Sequence, residues 1–304
     1  MNNRRLKLLL AWFAWIALAG AAHALQVTDD RGVTMTFAQP PQRIVSLLPA
    51  LTETVCALGQ CQRLVGVDRY SNHPASVRAL PQVGGGLDPN IEAIVALKPD
   101  LVLSATSARL GERLQALGIQ TLALEPKNHA DVQRVLAQIG QILGVSTAAN
   151  VWRGIDAELS TQARKLPATA KKMRVYFEVD SALYGASEAS FIGETLKRLG
   201  LKNIVPARLG PFPKLNPEYV VRAQPDLIMV GEQNYASMAV RPGWADLQAI
   251  KAGRICVFNA AQMDAMVRPG PRLVEAAHLM VQCVQGLLNR QVERDPNEPS
   301  GSAP

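Results

Sequence analysis

A fourteen-residue pattern occurs twice in this chain, 126 positions apart. Residues 90–103 read Asn90-Ile-Glu92-Ala-Ile-Val-Ala-Leu-Lys-Pro99-Asp100-Leu-Val-Leu103. Residues 216–229 read Asn216-Pro-Glu218-Tyr-Val-Val-Arg-Ala-Gln-Pro225-Asp226-Leu-Ile-Met229. Each copy predicts a short amphipathic helix, a Pro-Asp break and an apolar run of strand length. The spacing is far longer than the roughly 20–50-residue period of a solenoid. It therefore predicts two similar α/β lobes, and two lobes with matched elements imply a site between them.

The flanking pattern supports this. Strands are expected at 43–47, 64–67, 80–83, 101–103 and 121–124, alternating with helices at 52–58, in the first repeat, at 110–117 and at 131–143. A second round follows, with strands at 174–179, 227–230 and 255–258 and helices at 191–199, in the second repeat and at 272–288. Strand alternating with helix means a parallel sheet with helices on both faces. Residues 147–165 contain no Pro and one Gly, and Val151, Ile155, Leu159 and Ala163 recur every four positions. That predicts a single helix about 28 Å long at 1.5 Å per residue. The fold class expected is thus α/β, with two similar lobes (25–145 and 171–290) of parallel central sheets flanked by helices. One long backbone helix within 146–170 joins them, and a Pro-, Glu-, Asp- and Ser-rich tail at 291–304 is expected to be disordered.

Ahead of the lobes, Arg4, Arg5 and Lys7 precede an apolar run from Leu8 to Leu18, and Ala22-His23-Ala24 has the small-x-small form of a cleavage site. Residues 1–24 therefore read as a cleavable signal peptide, and the mature chain as a periplasmic protein that is not membrane-embedded. The apolar run is shorter than the ~20 residues that span a bilayer, and no cysteine near the cut offers a lipid attachment point. Cleavage takes the formal charge from +7 to +4. Basic residues are scattered, with no run longer than Lys171-Lys172 and no interleaved aromatics, so nucleic-acid binding is not expected.

An exported protein can hold disulfides. Cys56 and Cys61 stand five apart, with Gly59 reading as a helix C-terminus between them, a spacing that suits a bridge. Cys256 and Cys283 read equally as a second bridge or as two buried thiols. No His stands at ligand spacing from the cysteines, so a zinc site is not expected, and the mature chain's scattered histidines do not suggest a zinc or manganese carrier. His73, in Asn72-His73-Pro74, reads as a loop histidine or an axial ligand to a metal centre. The chain has no Gly-x-Ser-x-Gly elbow, no phosphate-binding Gly loop and no His-Glu-x-x-His, so no enzyme or catalytic residue is expected.

Several segments together carry a family likeness. They are Arg43-Ile-Val-Ser-Leu-Leu-Pro49 with Thr52-Glu53, Val65-Gly66-Val67 followed by Tyr70-Ser71 and Pro74, Asn90-Ile91-Glu92 through Pro99-Asp100, Phe212-Pro213 through Glu218, and Asp264 and Arg268 with Pro271-Arg272. From Arg43 to about Leu288 the chain resembles the helical-backbone (class III) periplasmic substrate-binding proteins of ABC importers, and among them those that carry cobalamin.

The resemblance implies a monomer without cofactor that holds cobalamin or a related corrinoid as ligand. It gives Glu92 and Glu218 the role of docking knobs for the importer's transmembrane subunits. Two carboxylates at equivalent points of pseudo-symmetric lobes also suit a two-fold symmetric partner. It gives Tyr70, Tyr184 and Phe212 to the ligand's apolar disc, and Asp264 and Arg268 to its polar rim. Two cleft tryptophans of the family fall here on Gly86, in Gly84-Gly85-Gly86, and on Ala105. Three glycines allow backbone to approach a ligand closely, and the missing rings leave room for another chelate. Haem, with Tyr70 or His73 on the iron, and an iron–siderophore, with Arg69, Arg78 or Arg268 in a basic cleft, are the alternatives.

Overall fold

The computed structural model describes residues 25–108 and 110–294. The expected signal peptide (residues 1–24) and residues 295–304 of the expected tail lie outside the described residues. The first element is a hairpin the sequence reading did not anticipate, β1 (Leu25–Thr28) with β2 (Thr34–Phe37). Four strands follow, β3 (Ile44–Ser46), β4 (Leu64–Val67), β5 (Leu101–Ser104) and β6 (Thr121–Ala123). They form one sheet in the order β4-β3-β5-β6, all parallel. Residues 80–83 are not a strand. They meet β4 through Val67 N–H to Pro81 O and Val83 N–H to Val67 O, both 3.0 Å, and Pro81 brings no donor with which to continue a ladder.

In the second lobe β7 (Arg174–Asp180), β8 (Tyr184–Gly185), β9 (Lys202–Asn203), β10 (Leu227–Gly231) and β11 (Ile255–Phe258) form a second sheet. β11, β10, β7 and β9 are parallel, and only the two-residue β8 pairs antiparallel, along β7. The repeat has a structural cause. Asn90 and Asn216 each cap a helix, accepting from Ala93 N–H and Glu218 N–H. Lys98 (φ 49°) and Gln224 (φ 44°), again 126 apart, turn left-handed to leave those helices. The Asp100 carboxylate then accepts from the backbone N–H of Gln42 and Arg43, at 2.8 and 2.9 Å, and Asp226 accepts from that of Arg174 at 2.8 Å. In both lobes the Asp of Pro-Asp ties the repeat to the first strand of its own sheet.

The lobes are joined by the helix Ala148–Lys165, 18 residues long. It packs against the helix His129–Leu143 on one side and the final helix Leu273–Arg294 on the other. Gly140 permits the first contact, since a Cβ there would lie 2.6 Å from the Ala148 Cβ. A single core runs through this junction, from Leu136 and Ile139 through Ile155 and Leu159 to Phe191, Leu196, Met280 and Val284. The final helix continues to Arg294, so residues 291–294, read as the start of the tail, are helical. Both cysteine pairs are bridged, Cys56 to Cys61 and Cys256 to Cys283. The second ties β11 to the final helix.

Candidate functional site

The carboxyl ends of parallel strands are where open α/β sheets take ligands, and here the ends of the first sheet's four strands line one wall of a cleft. β3 runs into Leu48 and Pro49, β4 into Tyr70, β5 into Ala105, and β6 into Glu125, Pro126 and Lys127. The other wall is Phe191, Pro211 and Phe212, closed by Val267, Arg268 and Pro269. The cavity measures about 440 Å³, within the roughly 300–1,000 Å³ of ligand sites. Its lining is mainly apolar.

Tyr70 from one lobe and Phe212 from the other both expose their rings, 59% and 36%. Phe212 is braced edge-on by Phe191, with ring centroids 5.8 Å apart and planes at 65°. The segment carrying Phe212 is held by Ser187 N–H to Pro211 O and Gly185 N–H to Pro213 O. Phe191 itself opens a helix whose cap is Ser190. Nothing in the sequence marks Phe191 as a cleft residue, because it also reads as an ordinary buried helix start. Leu48, Pro49 and Lys127 were missed for a similar reason: each is assigned by the fold rather than by any motif.

Of the other residues assigned by resemblance, Ala105 lines the cavity, whereas Tyr184 and Gly86 do not. Tyr184, 39% exposed, lies on β8 and bridges to Lys214. At Gly86 a Cβ would stand 2.9 Å from the Leu47 carbonyl oxygen. The loop therefore closes onto β3, and a tryptophan there would have to displace it. Asp264 lines a separate cavity of about 290 Å³ with Asp180 and Glu232, at the ends of β7 and β10.

Arg268 is 8% exposed and its guanidinium is occupied inside the protein. It donates to Glu53 Oε1 (2.9 Å), Asn72 Oδ1 (2.8 Å) and Tyr70 O (3.0 Å), and pairs with Asp264 at 2.8 Å. Asn72 Nδ2 donates in turn to Asp264 at 2.8 Å. Burial pushes the Glu53 carboxyl up, opposed by Arg268 and then Arg272, and Glu53 Oε2 has no partner. Burial likewise raises Asp68, against hydrogen bonds from Ser71 and the Tyr70 amide and the charge of Arg268.

His73 sits at the outer side of this seam, in a cavity of about 240 Å³ with Glu53 and Arg272 rather than in the main cleft. Its pKa is lowered by burial and by the charge of Arg272, so it is neutral at pH 7. No group of three or more His, Cys, Asp or Glu side chains able to hold a metal occurs among the described residues. Among the same residues no helix is long and apolar enough to cross a membrane.

A profile described as periplasmic binding protein matches residues 44–261, most of the chain and both lobes. The chain belongs to the periplasmic binding protein family. Members of this family are solute-binding transport components, not enzymes. The vitamin B12-binding protein of Pectobacterium carotovorum is 27% identical over 277 residues, 88% of this chain and 92% of that protein. Among solved structures, the periplasmic vitamin B12 binding protein BtuF of Vibrio cholerae superposes with a TM-score of 0.67 at 26% identity, covering 82% of this chain and 98% of that one. A periplasmic haem-binding protein from Pseudomonas aeruginosa gives 0.68 at 25% identity, covering 87% and 96%. This binding protein thus shares its two-lobed fold both with a vitamin B12 binding protein and with a haem-binding protein.

Proposed function

We propose that the chain captures cobalamin or a related corrinoid in the inter-lobe cleft, in the periplasm, and delivers it to the transmembrane subunits of an ABC importer. The observation that carries this reading is the apolar cleft with one exposed aromatic from each lobe, Tyr70 and Phe212. A corrin is a broad apolar disc rimmed with amides, and aromatic faces suit its plane. The similarity to vitamin B12-binding proteins over most of the chain supports the same ligand. Glu92 and Glu218 are both exposed in the first turn of matched helices. There a carboxylate favours the helix dipole and remains free to meet a basic partner, which supports their role as docking knobs.

Haem is the second reading, favoured by the exposed Tyr70 phenol, a possible iron ligand, and by the similarity to a haem-binding structure. Spectral titration separates the two. Purified protein is expected to bind cyanocobalamin and dicyanocobinamide with saturable changes in their visible bands. Tight binding of haemin, with neither corrinoid bound, would replace the first reading by the second.

A further inference from the structure

Tyr70 presents an unusual combination, a large ring 59% exposed on a backbone that is held with great care. Its N–H donates to Asp68 Oδ1 at 2.8 Å, and its carbonyl accepts from Arg268 Nη2 at 3.0 Å. Asp68 is 0% exposed and Arg268 8%, and they belong to different lobes. Asp68 is itself fixed from below, accepting from Ser71 Oγ at 2.5 Å. Ser71 Oγ meets Thr52 Oγ1 at 2.8 Å, and Thr52 Oγ1 meets Ser46 Oγ at 2.9 Å, all three hydroxyls buried. The ring has little packing to hold it. Arg69 lies 5.9 Å from the ring centroid and is paired with Asp88, close to the ~6 Å limit of a cation–π contact.

A buried carboxylate and a buried guanidinium are costly to desolvate, and each gives one of its hydrogen bonds to the backbone of the same exposed residue. A neutral hydrogen bond on each side would hold an ordinary turn. Charge-assisted bonds are shorter and roughly twice as strong as neutral ones, and a side chain whose backbone is over-determined loses less freedom when a ligand arrives. We infer that Asp68 and Arg268 are positioning residues for Tyr70, gripping its peptide N–H and carbonyl from opposite lobes so that the ring is preset for the ligand. The inference rests on the reading of Tyr70 as a ligand contact. It adds that the ring's placement is set jointly by both lobes, Asp68 acting from beneath the cleft and Arg268 from its edge.

The test uses the mature chain labelled with 3-fluorotyrosine, with Tyr70→Phe identifying the Tyr70 fluorine resonance. Asp68→Ala is expected to sharpen that line and shift it towards free fluorotyrosine. Asp68→Asn is expected to restore it, because the amide keeps an acceptor for the Tyr70 N–H while its Nδ2 donates to Ser71 Oγ. Arg268→Lys keeps a cation beside Glu53 but gives up the second donor, and should loosen the same line; it serves if Asp68→Ala fails to fold. With cyanocobalamin as probe, Asp68→Ala should weaken binding about tenfold, and the loss should vanish in a Tyr70→Ala background. A Tyr70 line unmoved in both Asp68→Ala and Arg268→Lys would overturn the inference, as would an equal loss of affinity without Tyr70. Failure of the wild-type protein to bind any corrinoid would sink the functional reading instead, and the fluorine line would still report on the clamp.

Discussion

Arg268 and Glu53, 215 residues apart, form an ion pair at 2.9 Å across the lobe boundary, and their side chains are 9% and 2% exposed. Removing one partner of a buried pair leaves a charge with no solvent, a loss of about 3–5 kcal/mol. Arg268→Met is therefore expected to destabilise the protein by about that amount in guanidinium denaturation. The double variant Glu53→Leu/Arg268→Met should recover much of the loss. If the double variant is as unstable as the sum of the two single variants, the pair is not the unit that matters.

A second bridge between lobes is sensitive to acid. His129 Nε2 lies 3.0 Å from Thr195 Oγ1, and the His129 N–H donates to Glu194 at 2.6 Å. Burial lowers the His129 pKa from 6.5, with Glu194 opposing the shift. Below pH 6.5 the unfolded chain takes up a proton that the folded chain resists. The stability from this site is thus present above pH 6.5 and is lost as pH falls through the folded value. His129→Gln is expected to flatten the pH dependence of the melting temperature just below 6.5. A slope identical to wild type would show that His129 is not its source.

Phe212→Ala removes the ring that Phe191 braces and should raise the dissociation constant for cyanocobalamin by roughly 30-fold, about 2 kcal/mol. Calorimetric titration measures this directly. An unchanged constant would place the ligand elsewhere than between Tyr70 and Phe212.

The docking assignment calls for a charge reversal. Glu92→Arg combined with Glu218→Arg is expected to leave ligand affinity unaltered and to abolish uptake of labelled cobalamin by cells carrying the variant as their only copy. Weakened binding in the purified variant would argue that these carboxylates serve the cleft.

The Cys256–Cys283 bridge spans 27 residues. By chain entropy a loop of that length contributes about 3.5 kcal/mol. Cys256→Ser/Cys283→Ser should therefore lower denaturant stability by about that amount while preserving the cleft. Loss of ligand binding in the folded variant would show that the final helix also shapes the site.

The framework was legible because its signals are local and doubled. Asn90 and Asn216, Lys98 and Gln224, and Asp100 and Asp226 perform the same backbone tasks in each lobe, and a periodic apolar stripe marks Ala148–Lys165 as one helix. Short pieces were not legible. Leu80–Val83 has the composition of a strand but sits beside β4 with Pro81 breaking its ladder, and β8 is only two residues held by its neighbours. The cleft was legible only in part. Tyr70 and Phe212 are exposed aromatics and stand out in a chain with few of them, whereas Leu48 and Lys127 are chosen by where strands end and Phe191 by where a helix begins. Arg268 does border the cleft, but no sequence pattern reveals that Glu53, Asn72 and Tyr70 converge on it from the other lobe.

The pairing of the connecting helix with the final one has a consequence for transport. On the proposed reading, two rods packed side by side along the junction resist bending, so a filled carrier and an empty one are expected to present almost the same silhouette, with Glu92 and Glu218 nearly the same distance apart. An importer docking on those two carboxylates would then receive little news of cargo, and empty carriers should compete with full ones for its doorway.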